Sequence, residues 1–131
     1  MTIAVAHQVS STARMALVEA AQEAKCRNTD LAVLHVVESL DADREEAYRL
    51  GVSDEIEKVV GQESGLQWKL HLTIAGADLA GALLGLVDKL QVELLVIGAR
   101  RRSPVGKALL GSVAQTVILE AHVPVLVVKT N

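Results

Sequence analysis

The residues with the densest capacity for chemistry lie between positions 98 and 113. There Gly98 follows an apolar run, Gly111-Ser112 precedes a helical one, and Arg100, Arg101 and Arg102 stand between them. A glycine directly after a strand permits a sharp turn and removes the side chain that would block a ligand's approach. Free N–H groups at a helix start, a Ser112 hydroxyl and the helix dipole together favour a phosphate or another anion. Ser112 is also the expected N-cap of that helix, with or without a ligand. The three arginines read in three ways: as guanidinium partners for phosphate oxygens, as a protein contact, or as a solvated basic loop, which is the usual state of a short charge run. Gly106 and Lys107 need be no more than a loop turn and a solvated side chain.

The other candidates are weaker. No pair among His7, His35, His71 and His122 has the i, i+4 spacing of a helical metal motif, so no metal site is expected. His7 and His35 fall on neighbouring strands in the expected order, either as a packed or solvent-touching pair or as a local polar contact near the cleft. Cys26 is the one cysteine and cannot form an internal disulfide; in its alanine-rich helical stretch it reads as a small core or half-buried side chain. No Ser or Cys is spaced with a base and an orienting group as nucleophilic catalysis requires. A net charge of −3, no Phe, one Trp (Trp68) and one Tyr (Tyr48) supply neither the basic surface nor the stacking platforms of a nucleic-acid binder.

Elements of regular structure must position these residues. A chain of 131 residues, half of them hydrophobic, has the size of one domain over 1–131 with a real core. Its longest apolar runs are far shorter than the roughly 20 residues that cross a bilayer. Ile3-Ala4-Val5-Ala6 begins a strand without the basic start and long apolar stretch of a secretory signal, so a cytoplasmic protein is expected. Strand-like runs at 2–6, 31–37, 67–74, 93–97 and 123–128 alternate with helical stretches at 11–26, 41–61, 79–90 and 112–121. The run 31–37 is apolar on both parities, as in a central parallel strand. In 67–74, Trp68, Leu70, Leu72 and Ile74 alternate with polar residues, as in an edge strand. The stretch 41–61 carries apolar Ala47, Leu50, Ile56, Val59 and Val60 and is interrupted by Gly51, so two helical pieces or one kinked helix are expected. Asp78 is a candidate N-cap, and Gly81 and Gly85 would permit close approach of their helix to the sheet. The strand at 93–97 is expected to end at Gly98. Right-handed crossovers then give an α/β fold, a three-layer, open, doubly wound parallel sheet. Its ligands would sit beyond the carboxyl ends of the strands, near His7, Val36, Val37 and Gly98.

In the order of strand, Gly98, twelve loop residues, Gly111-Ser112-Val113, helix and a Pro-Val-Leu-Val-Val strand, the chain resembles the universal stress protein family. The opening strand with Ala16-Leu17, the Leu34-His35-Val36-Val37 strand, Gly76 and the Leu94 to Gly98 run resemble it too. The resemblance implies an adenine nucleotide alpha hydrolase-like fold of five strands in the order 3-2-1-4-5. It also implies a regulatory, non-enzymatic role in the stress response, with at most feeble ATP hydrolysis, and an adenine nucleotide such as ATP as ligand. Nucleotide-binding members carry a loop of Gly, two residues, Gly, nine residues, Gly, then Ser or Thr. Gly98 and Gly111-Ser112 match it, whereas Arg101 stands at the middle glycine. His7 stands where those members usually carry an Asp facing the nucleoside; a neutral imidazole keeps one acceptor nitrogen. On this pattern Gly98 allows backbone approach, Gly111, Ser112 and Val113 supply phosphate donors, and Val36 and His7 flank base and ribose. Family members commonly dimerise through the last strand, Val123-Pro124-Val125-Leu126-Val127-Val128, and an apolar strand at a sheet edge invites such pairing. The alternative is a dimeric interaction protein of the same fold without nucleotide, as the departures at Arg101 and His7 would suit.

Overall fold

Successive residues of the central strands are buried on opposite sides of one sheet, and that parity sets the architecture. The computed structural model describes residues 2–8, 11–61, 65–100 and 111–130. Its elements are β1 (Thr2–Ala6), α1 (Ser11–Cys26), β2 (Asp30–Val37), a 3-10 turn (Ala42–Arg44), α2 (Glu45–Val60), β3 (Trp68–Ile74), α3 (Leu79–Lys89), β4 (Val92–Arg100), α4 (Ser112–Glu120) and β5 (Val125–Thr130). Among the described residues the sheet has five strands in the order β3-β2-β1-β4-β5, every neighbouring pair parallel. This is the doubly wound fold expected from the alternation of elements. No helix among the described residues is long and apolar enough to cross a membrane.

Ile3 and Val5 of β1, Leu31 and Val33 of β2, and Leu94 and Val96 of β4 pack on one face against Ala16, Leu17, Val52 and Ile56 of α1 and α2. Ala4, Ala32, Leu34, Leu95 and Ile97 pack on the other face against Leu83, Val87 and Val117 of α3 and α4. The buried stripe of α1 is mostly alanine, with Ala16, Ala20 and Ala24 wholly buried. A narrow stripe lets the helix axis approach the sheet closely, and Ala also has the highest helix propensity. α1 ends where Asn28 takes a left-handed φ of 55°, which lets the Asn28 N–H reach the Lys25 carbonyl and the Thr29 N–H reach that of Ala24.

Several local expectations are corrected by the tertiary packing. Gly51 does not interrupt α2, which runs unbroken from Glu45 to Val60. The helix's core stripe is Val52, Ile56 and Val60 with Tyr48 one turn earlier, while Ala47 and Leu50 are exposed. Gly81 faces away from the sheet: a Cβ there would overlap the Asp78 carboxylate, which accepts the Gly81 N–H at 2.9 Å, and a Cβ at Gly85 would meet open space. Glycine at 81 therefore makes room for the cap, not for the sheet. β3 does lie at a sheet edge, but its alternation fades toward the carboxyl end, where His71 and Thr73 are half-buried and Ile74 is exposed. β4 continues through Gly98 to Arg100, because Gly98, Ala99 and Arg100 pair with Val128, Lys129 and Thr130 of β5. The chain therefore does not turn at Gly98. Cys26, the last residue of α1, is exposed and outside the core.

Asp78 does cap α3 through its side chain. Asp78→Ala should lower the unfolding free energy by about 1 kcal/mol in a urea titration, and Asp78→Ser should restore most of it.

Candidate functional site

The chain crosses from one side of the sheet to the other between β1 and β4. α1 leaves β1 toward one face, and the chain after β4 leads to α4 on the other. Two such departures in opposite directions leave a crevice at the carboxyl ends of these strands. It holds a cavity of about 310 Å3, at the lower end of the range for small-molecule sites. Leu34, Val36, Leu79, Leu83, Ile97 and Val117 form its apolar wall. Ala6 and His7 from the end of β1, Gly98 and Ala99 from β4, and Gly111 and Val113 from the start of α4 complete it.

Of the residues expected at the site from sequence, His7, Val36, Gly98, Gly111 and Val113 are brought together here. Val37 and Ser112 do not line the cleft. Ser112 is the first helical residue and is exposed; the N-cap is Gly111, with no side-chain cap, so the expected Ser112 cap is corrected. The Ser112 carbonyl instead accepts the Thr116 hydroxyl at 3.0 Å. Gly111 has an extended backbone (φ −64°, ψ 161°), and a Cβ added there would meet nothing within 4 Å. The glycine is thus not required by backbone strain, and the space beside it is open. Arg101, with Arg102, Gly106 and Lys107, lies outside the described residues.

Beside this cleft is a polar arrangement of two buried histidines and a half-buried tyrosine. β1 ends with the His7 N–H donating to the Leu34 carbonyl at 2.9 Å, which carries its register one residue beyond the strand. His7 Nδ1 and His35 Nδ1 are 3.0 Å apart, and His35 Nε2 lies 2.7 Å from Tyr48 Oη on α2. The two histidines are 4% and 2% exposed, so this contact is made away from water. Burial lowers the His7 pKa, partly offset by the negative charge of Glu55. Burial and then the neighbouring His7 charge push His35 down to about 4. Both rings are therefore neutral at pH 7, and each carries a single N–H. The one signal for Tyr48 in the sequence is its four-residue spacing from Val52, Ile56 and Val60, which puts it on the buried face of α2.

Comparison with known proteins decides the family. The model of the universal stress protein family matches residues 1–129. The chain belongs to that family. A universal stress protein of Mycolicibacterium smegmatis is 39% identical to it over 134 aligned residues, covering 98% of each chain. Among solved structures, a universal stress protein from Archaeoglobus fulgidus superposes with a TM-score of 0.81 at 30% identity, covering 98% of each chain. Another structure described as the universal stress protein from that organism, in complex with dAMP, gives 0.77 at 26% identity with the same coverage. This family member thus has the adenine nucleotide alpha hydrolase-like fold expected of it, with strand order 3-2-1-4-5.

The depressed histidines make stability depend on pH. A group whose folded pKa lies below its unfolded value of about 6.5 contributes fully above that value and loses its contribution as pH falls toward the folded pKa. For His35 that window runs from 6.5 to about 4. The urea midpoint should fall between pH 7 and pH 5, and His35→Gln should flatten that dependence; an unchanged slope would mean that His35 titrates normally.

Proposed function

We propose that this chain is a single regulatory domain of the stress response, acting in the cytoplasm without catalysis of its own, that binds an adenine nucleotide in the cleft between β1 and β4. The observation that carries the reading is the cleft's division of labour. One wall is apolar, from Val36, Leu83, Ile97 and Val117, and suits a purine face. One end is the start of α4, where Gly111 leaves open space and the free N–H groups of the first turn favour phosphate. His7 lines the same cleft and is suited to be the polar group for the nucleoside. Gly98, without a side chain, leaves the β4 backbone accessible to the ligand. The dAMP complex of the related Archaeoglobus fulgidus protein supports the same ligand class. Ser112 contributes through its backbone N–H and not its hydroxyl, and the guanidinium of Arg101 is suited to the phosphate chain.

A second reading is favoured by a separate observation. β5 is the outer strand of the sheet, and Leu119 of α4 is 82% exposed with Ile118 beside it. The expected pairing strand 123–128 is shifted in the structure to Val125–Thr130, and an edge strand of this apolar composition, with exposed aliphatic side chains on α4, suits pairing with a second copy. In this reading the protein acts as a homodimeric interaction module and the cleft is vestigial. Sedimentation of the full chain with and without ATP separates the two: a dimer indifferent to nucleotide favours the second.

Thermal melting tests the first reading directly. ATP at about a hundredfold its dissociation constant should add roughly 2.7 kcal/mol to the unfolding free energy. Gly111→Val should abolish the shift while melting like the parent without ligand, since its backbone geometry accepts valine and its Cβ meets no neighbour. No shift at millimolar ATP removes the nucleotide reading.

A further inference from the structure

His7, His35 and Tyr48 form a chain of hydrogen bonds whose directions are not independent. A neutral imidazole has one N–H and one bare nitrogen. Both nitrogens of His35 are engaged, Nδ1 with His7 Nδ1 at 3.0 Å and Nε2 with Tyr48 Oη at 2.7 Å. If His35 carries its proton on Nε2, it donates to Tyr48 and must accept from His7 Nδ1–H, which leaves His7 Nε2 bare. If His35 carries it on Nδ1, it donates to His7 and accepts the Tyr48 hydroxyl, and His7 then bears its proton on Nε2. In either state the two histidines are opposite tautomers. Since Nδ1 of His7 is taken by His35, Nε2 is the nitrogen it can offer to an occupant of the cleft it lines.

We propose that His35 and Tyr48 are positioning residues for the ligand site: the chain His7–His35–Tyr48 sets whether His7 offers a donor or an acceptor to the nucleoside, and ties that choice to the Tyr48 hydroxyl on α2. This rests on the reading of the cleft as a nucleotide site. A carboxylate at position 7 would only accept, whereas this chain meets either sense by moving protons within the relay. The class of group it fits best is a ribose hydroxyl, which can itself donate or accept. The rings meet at a tilt of 45° with centroids 5.2 Å apart, so the contact is edge to edge through nitrogen and not a stack. Glu55 is the charged group acting on His7 from α2, and its negative charge favours a proton on that ring. Tyr48 is half-buried against the α1 and α2 side of the sheet and does not line the cleft. An effect of Tyr48 on ligand affinity must therefore pass through His35.

Two measurements on the full chain test this. Nitrogen-15 NMR of labelled histidine at neutral pH, without nucleotide, should find His7 and His35 in opposite tautomers; if both are protonated on Nε2, no proton links the two Nδ1 atoms and the relay is overturned. ATP affinity is then measured in the parent, Tyr48→Phe, His7→Ala and the double variant. Tyr48→Phe, which keeps the ring, should weaken ATP roughly threefold to tenfold in the parent, as expected for one hydrogen bond, and leave it unchanged in the His7→Ala background. Equal weakening in both backgrounds, or none in either, overturns the positioning role. If the parent itself does not bind ATP, the nucleotide reading falls and the tautomers alone decide whether the relay exists.

Discussion

The structure depends on the burial of both faces of a parallel sheet whose strand order reverses between β1 and β4. Ile3 and Val5 require a helix layer on one side, and Ala4 with its neighbours Ala32 and Leu95 requires one on the other. Helices that serve both faces must depart in opposite directions at the reversal. The crevice follows from that constraint alone, before any residue in it is chosen for chemistry. What the sequence adds is the lining: small residues where backbone is needed, as at Gly98 and Gly111, and aliphatic ones along the wall.

The same constraint accounts for the buried histidines. Position 7 lies one residue past β1 and position 35 near the end of β2, and the register pairs Ala6 with Leu34, so the two rings fall side by side. Two imidazoles in a dry site are costly unless each nitrogen finds a partner. Tyr48 supplies the third member, and among the described residues no buried side-chain nitrogen or oxygen lacks a hydrogen-bond partner. The polar chain is thereby compatible with a core that is otherwise aliphatic.

Much of this fold is legible in the residues because hydrophobic parity and helix spacing are local properties. β1 and α1 run over the stretches that their apolar patterns mark. The misreadings arise where a distant partner overrides a local preference. Gly98 reads as a strand end until β5 offers a ladder for it, and Gly51 reads as a break until Tyr48 on one side and Val52 and Ile56 on the other anchor the helix to the core. Ser112 reads as a cap by residue type, yet Gly111 takes that position through its backbone. The polar contact of His7 with His35 is one of the readings that the strand order offers, whereas Tyr48 escapes it, since no spacing encodes a contact between a strand and a helix thirteen residues away. The cleft residues are easier to name, because the glycines and the strand ends mark them directly.

The extension of β4 past Gly98 joins two regions that otherwise look separate. Gly98 borders the cleft and is also the rung partner of Val128 on the outermost strand. Any chain that adds itself to that edge pairs with β5, whose other side is the strand forming the cleft's border. Assembly at the rim and occupancy at the centre are thus mechanically adjacent, separated by the width of a single strand.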